Sequence, residues 1–199
     1  MNKPNFYLKD RGQGLNPWAR MANVFTPEDC ERIIELGSKL DLEPGTVGSS
    51  DKNHTVDPKL RSATIGWFDS GSPEHFEIYK RLSDVVERAN ERFWGFDLNY
   101  LESAQFTHYS KPGDHQDTHM DTGYVGDHYR KLTIVVQLSD PDSYTGADLN
   151  LQLAHELEPM DRDQGCVIIF PSFFLHKVTP LLTGERYSLV SWVCGAPFK

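Results

Sequence analysis

A mainly β fold with supporting helices, a double-stranded β-helix (jelly roll) backed by N-terminal α-helices, is predicted from three observations. From about residue 99 onward, short apolar segments alternate with turn residues. Before that point two stretches carry helical periodicity. The length, 199 residues, suits one domain with a sizeable core. The expected division is a single domain over 1–199: an arm, helices and a polar loop in about 1–98, and the jelly roll in about 99–199.

Taken in order, residues 1–25 mix Gly, Pro and Asn with scattered apolar residues, which predicts an irregular arm with one edge strand. The first helix opens at Thr26-Pro27-Glu28-Asp29, where Thr caps, Pro takes the first helical position and acids favour the first turn. Cys30, Ile33 and Ile34 start an apolar face that runs through Gly37 to Leu40; Gly37 has nothing to bury there, so it either admits a close neighbour or ends the helix early. Residues 45–54 are polar and loop-like, and 60–68 read as a strand. Ser72-Pro73-Glu74 caps a second helix to about Trp94, whose stripe of Phe76, Tyr79, Leu82, Val86, Ala89 and Phe93 backs the sheet. Strands follow at 103–109, 130–138, 148–153, 165–170, 174–179 and 185–194, separated by Pro-Gly, Asp-Pro-Asp-Ser and Thr-Gly turns. Segment 122–129 is long and flexible-looking and reads as a lid.

Composition bounds the function. A net charge of -9 argues against a general nucleic-acid-binding surface, and no apolar run is long enough to cross a membrane. The start, Met1-Asn-Lys-Pro-Asn-Phe, lacks the apolar core of a signal peptide. Cys30, Cys166 and Cys194 are odd in number and show no metal-type spacing, which fits buried thiols in a reducing compartment. The expectation is a cytoplasmic protein of open oligomeric state.

Chemistry concentrates in Tyr109–Asp121. His119 and Asp121 flank one residue, so in an extended chain both point to one side while Met120 points away. His115-Gln116-Asp117 has the same spacing, so pattern alone does not separate the two pairs. A third ligand must come from far along the chain, and His176, on an otherwise apolar strand-like segment, is the candidate. Two imidazoles and one carboxylate on one side of a metal leave the opposite positions open, as in non-heme Fe(II) oxygenases. Ten residues after His176 stands Arg186, and Arg186, Ser188, Val190 and Trp192 share a strand face. A guanidinium and hydroxyl side by side grip a carboxylate in two places, and burying them without an anion is costly.

Tyr109, Gly113-Asp114, His119-x-Asp121, Arg130-x-Leu132-Thr133, Gly146-Ala147-Asp148-Leu149, Phe170-Pro171, His176-Lys177-Val178-x-Pro180 and Gly184-x-Arg186-x-Ser188 occur in that order. Over roughly residues 60–195 this resembles the 2-oxoglutarate- and Fe(II)-dependent oxygenases, most closely their prolyl 4-hydroxylase-like branch. The resemblance implies His119, Asp121 and His176 as metal ligands and demotes His115, because the family's Gly-Asp pair precedes the first ligand by several residues. It implies Arg186 and Ser188 on the far carboxylate of 2-oxoglutarate, with Tyr109 near the co-substrate. Thr133, Val135 and Gln137 share the pocket-side face of their strand. A tyrosine of some relatives pairs with the basic residue where Gln137 stands, and this chain departs there. Arg61 and Trp192 resemble substrate-side residues, and 45–67 resembles the loop and strand that close over a substrate peptide.

Fe(II), 2-oxoglutarate and dioxygen are the implied cofactor and co-substrates, with ascorbate as an accessory reductant. The implied reaction hydroxylates an unactivated C–H bond of a prolyl residue in a protein or peptide, converting 2-oxoglutarate to succinate and CO2. A free amino acid or other small metabolite is the rival substrate. A non-catalytic cupin-like module binding metal or carboxylate is the rival of a different class; it explains the triad but not the anion fork beside open coordination. A zinc hydrolase would want a general base by the metal and has no use for Arg186 with Ser188.

Overall fold

A computed structural model describes residues 16–49 and 52–198, so most of the expected N-terminal arm lies outside the described residues. The described chain begins with β1 (Ala19–Met21) and α1 (Pro27–Gly37). Thr26 Oγ1 accepts from the Asp29 amide at 3.2 Å, and the Asp29 carboxylate accepts from the Thr26 amide at 2.9 Å. Such a reciprocal cap stabilises a helix start by about 1 kcal/mol. Both expectations for Gly37 hold together: the helix ends there, and an added Cβ would lie 2.4 Å from the Phe106 ring.

Next come β2 (Glu43–Pro44), β3 (Val47–Ser49), β4 (Lys52–Thr55) and β5 (Thr64–Phe68). The stretch expected as a loop therefore contains a two-stranded ladder, β3 against β4, which its polar sequence disguised because neither face is apolar. Residues 50 and 51 of that segment lie outside the described residues. A single 3-10 turn, Pro73–His75, precedes α2 (Phe76–Phe93), and the Ser72 side chain makes no capping bond. The inward stripe is Ile78, Leu82, Val85, Val86 and Ala89. Phe76, expected on it, is 60% exposed, since at 3.6 residues per turn it sits about 120° round the helix from Leu82.

The rest is β: β6 (Tyr100–Leu101), β7 (Ala104–Tyr109), β8 (Gln116–His119), β9 (Tyr124–Val125) and β10 (His128–Gln137). Then follow β11 (Thr145–Gly146), β12 (Leu149–Leu153), β13 (Glu156–Pro159) and β14 (Val167–Pro171). The last are β15 (His176–Val178), β16 (Leu181–Thr183) and β17 (Arg186–Gly195). The segment read as a lid folds back as a hairpin, with Tyr124 and Val125 paired to Tyr129 and His128.

The large antiparallel sheet has the order β1-β14-β10-β17-β7-β5-β2, with β6 added to β17 and β9 to β10. The small sheet has the order β13-β12-β15-β8. Strand alternation divides the large sheet into two faces. Leu132, Ile134 and Val136 of β10 pack with Leu82, Val86 and Ile33 in the helix-side core. Val135 of the same strand, with Ile168 and Phe170, packs against Leu149, Leu151 and Val178 of the small sheet. Each fully buried Leu or Ile contributes about 2 kcal/mol, so the helices and small sheet clamp the strands that carry the site. The expected jelly roll is the fold found. Cys30, Cys166 and Cys194 are free and buried, and no described helix is long and apolar enough to cross a membrane.

Candidate active site

The site begins at a turn. Gly113 has φ +94°, which favours glycine, and the Asp114 carboxylate accepts from the amides of Ser110 and Lys111 at 2.8 and 2.9 Å. The turn feeds β8 into the small sheet, where His119 lies opposite His176 of β15. Residues opposed in an antiparallel pair present neighbouring side chains on one face, and the two imidazole centroids are 4.2 Å apart. Just beyond β8, the Asp121 amide donates to Ser172 O at 3.0 Å, turning its carboxylate toward both rings.

His119 Nε2 is 3.4 Å from Asp121 Oδ1 and His176 Nε2 is 3.3 Å from Asp121 Oδ2. One ligand atom from each of the three lies within 4.8 Å of the others. His119 Nδ1 donates to Asp117 O at 2.8 Å and His176 Nδ1 to Phe174 O at 3.1 Å. Carbonyls only accept, so both Nδ1 atoms carry a proton, and in the neutral rings the Nε2 lone pairs face the common point. Gln116 Nε2 donates to His119 Nε2 at 2.9 Å, occupying the lone pair that a metal would take in its place. Burial opposes ionising Asp121, but His176 and His119 outweigh it and hold the carboxyl well below its usual range. Burial disfavours charge on His176 too, yet Asp121 raises it above the ordinary histidine value. Two nitrogens and a carboxylate converging on one point, with their orientation fixed from behind, suit Fe(II).

These side chains open on a cavity of about 580 Å³ between the sheets, also lined by Arg186, Ser188, Tyr109, Thr133, Arg61 and Trp192. Arg186 is 1% exposed. Its Nη2 donates to Gln137 Oε1 at 2.8 Å, whereas Nε and Nη1 have no partner among the described residues. The guanidinium carbon is 5.3 Å from the centre of the Tyr109 ring. A buried guanidinium with two idle donor atoms beside a cavity matches the carboxylate of a ligand.

Two expected co-substrate residues are hydrogen-bonded within the protein. Thr133 Oγ1 donates to Asp121 Oδ2 at 2.9 Å and lies 3.1 Å from Ser172 Oγ, so it orients a triad member. Gln137 is not among the cavity-lining residues; it sits behind Arg186 because β10 ends there and the Asp161 carbonyl takes its amide at 2.9 Å. Arg61 precedes β5 rather than lying on it, bridged to Gln116, and its Nη2 donates to Gln105 Oε1 at 2.5 Å. Trp192 is stacked by Arg130 at 4.2 Å, and Glu102 holds Arg130 with two bonds of 2.6 Å. His115 is drawn away from the triad: Nδ1 meets Gly113 O at 2.9 Å and Nε2 meets Lys59 O at 3.0 Å. Gln105 and Thr107 line the cavity and were missed, although they share strand parity with Tyr109 and could have been read from it. Glu102 and Gln116 carried no such signal.

A jelly roll with a facial histidine–aspartate–histidine group and an idle buried arginine defines the architecture of a non-heme iron oxygenase. The family model of the 2OG-Fe(II) oxygenase superfamily matches residues 104–194. A PKHD-type hydroxylase of Synechococcus sp. (strain CC9311) is 30% identical over 178 residues, covering 82% of this chain and 72% of the relative. Another from Crocosphaera subtropica is 31% identical over 185 residues, covering 86% and 75%. Among solved structures, a prolyl hydroxylase from Trichoplax adhaerens, in complex with a hypoxia inducible factor peptide, superposes with a TM-score of 0.70 at 17% identity, covering 89% and 83%. A Pseudomonas putida prolyl-4-hydroxylase gives 0.66 at 22% identity, covering 92% and 94%. The chain belongs to the 2OG-Fe(II) oxygenase superfamily, and its cofactor and co-substrates are accordingly Fe(II), 2-oxoglutarate and dioxygen.

Proposed function

We propose that this 2-oxoglutarate-dependent dioxygenase hydroxylates a prolyl residue in a protein or peptide, with oxidative decarboxylation of 2-oxoglutarate to succinate and CO2. The observation that carries the co-substrate reading is the buried Arg186 with idle Nε and Nη1 beside the triad. In this reading His119, Asp121 and His176 hold Fe(II), and Arg186 takes the distal carboxylate with Ser188 and Tyr109 beside it. Iron, once bound with its co-substrates, supplies the oxidising power for C–H cleavage. The chain's own task is geometry. Backbone carbonyls lock the two imidazoles, Thr133 steadies Asp121, and Val135, Leu149 and Val178 line the cavity with apolar surface that keeps water out.

The prolyl assignment is supported by the hydroxylase relatives, by the prolyl hydroxylases among the structural neighbours and by the mouth of the cavity. There Trp67, 48% exposed, lies 6.2 Å from Trp192, with Arg61 also on the lining, a surface fit for a proline ring and its flanking carbonyls. We read 1–199 as one catalytic domain, and its three buried free thiols suit a cytoplasmic setting. The test offers Fe(II), 2-oxoglutarate and oxygen with proline-containing peptides or with free amino acids, following succinate and, by mass spectrometry, the gain of one oxygen. Oxygen found on a peptidyl proline supports the assignment. Turnover with free amino acids alone replaces it with the small-metabolite reading.

A further inference from the structure

The environment of Arg186 has a feature its ligand role does not require: the side chain that holds it is neutral. Among the described residues Arg186 forms no ion pair with any carboxylate, although it is buried. Its partner, Gln137, is 2% exposed and hydrogen-bonded through both backbone and side chain. The amide of Gln137 donates to Cys166 O at 3.0 Å, and its carbonyl accepts from Gly165 N at 2.8 Å. Its Nε2 donates to Asp161 O at 2.9 Å. That last bond settles which way the side-chain amide faces, since turning it would set donor against donor at Arg186 and acceptor against acceptor at Asp161. Gln137 lies opposite Ser188 in the β10–β17 ladder, so pairing with the central strand of the large sheet fixes its backbone.

From this geometry, and resting on the reading of Arg186 as the 2-oxoglutarate anchor, we infer that Gln137 is a positioning residue that orients the guanidinium through Nη2 while leaving its charge uncompensated for the co-substrate carboxylate. A glutamate of the same shape would make the same bond to Arg186 but supply the counter-charge from within the protein. In a buried site that internal carboxylate competes with the incoming one. A purely structural glutamine predicts the opposite ranking, because leucine removes both side-chain bonds while glutamate retains the one to Arg186.

The test measures 2-oxoglutarate binding by calorimetry on Fe(II)-loaded protein without oxygen, for wild type, Gln137→Glu and Gln137→Leu, together with Fe(II) affinity and thermal melting. Gln137→Glu should weaken 2-oxoglutarate by about 100-fold and Gln137→Leu by about 10-fold. Fe(II) affinity should stay within about threefold in both, since neither change touches the triad. Both variants lose the Nε2 bond to Asp161 O, so both should melt below wild type, and the 2-oxoglutarate affinities are compared at a temperature below either transition. Binding of 2-oxoglutarate by Gln137→Glu within about threefold of wild type, or a leucine variant weaker than the glutamate one, overturns the inference and leaves the anchor reading intact. A wild type that binds Fe(II) but not 2-oxoglutarate overturns both.

Discussion

Two His-x-Asp pairs stand four residues apart in this chain, and only one forms part of the triad. His119 lies opposite His176 in a strand pair and meets Asp121 across a shared point. His115 has both ring nitrogens at backbone carbonyls, and Asp117 is exposed, accepting from the Thr118 amide at 2.7 Å. The spacing that puts two side chains on one side of an extended segment is identical in both. What separates them is the partner strand: register brings the His176 side chain across from far along the chain to one pair and not to the other.

The sharpest break of that contrast is at the triad. His176→Ala or Asp121→Ala should abolish Fe(II)-dependent succinate formation, a loss of about 1000-fold or more, measured by 2-oxoglutarate turnover. Next comes the proposed anion anchor: Arg186→Met should raise the 2-oxoglutarate dissociation constant by about 100-fold with Fe(II) affinity kept, by calorimetry without oxygen. Thr133→Val frees Asp121 Oδ2 from its hydroxyl donor and should weaken Fe(II) by about 10-fold in a metal titration. On the other side of the comparison, His115→Ala should leave Fe(II) affinity within about twofold and cost only about 1 kcal/mol of stability in denaturant melts, its bonds being exposed.

The smallest effect concerns the thiols. Burial pushes Cys30, Cys166 and Cys194 up to about 12, so native protein should resist alkylation at neutral pH until it is unfolded. A folded value raised above the unfolded one contributes stability that is complete below the unfolded thiol range and is lost as pH climbs toward 12. Melting temperature should therefore decline across that alkaline window.

Much of this was legible in the sequence because alternation is strong where strands bury a face. β10 and β17 announce themselves through Leu132-Thr133-Ile134-Val135 and Ser188-Leu189-Val190, and both helices through their caps and stripes. β8 and β13 did not, since Gln116–His119 and Glu156–Pro159 are polar or exposed and owe their conformation to neighbouring strands. His119, Asp121, His176 and Arg186, which the fold brings to one cavity, were readable from their order. Their supports were not: Glu102 reaches Arg130 across 28 positions, and Gln137 reaches Arg186 across 49. Such pairings are set by register, which no local pattern contains.

Fe(II) titrated into oxygen-free protein with 2-oxoglutarate, in wild type, His115→Ala and His119→Ala, separates the two pairs through the visible charge-transfer band of the chelate. A band in wild type and His115→Ala that is absent in His119→Ala is the result expected. A band that survives in His119→Ala but disappears in His115→Ala would place the metal on the other pair and rule out the His119–Asp121–His176 site.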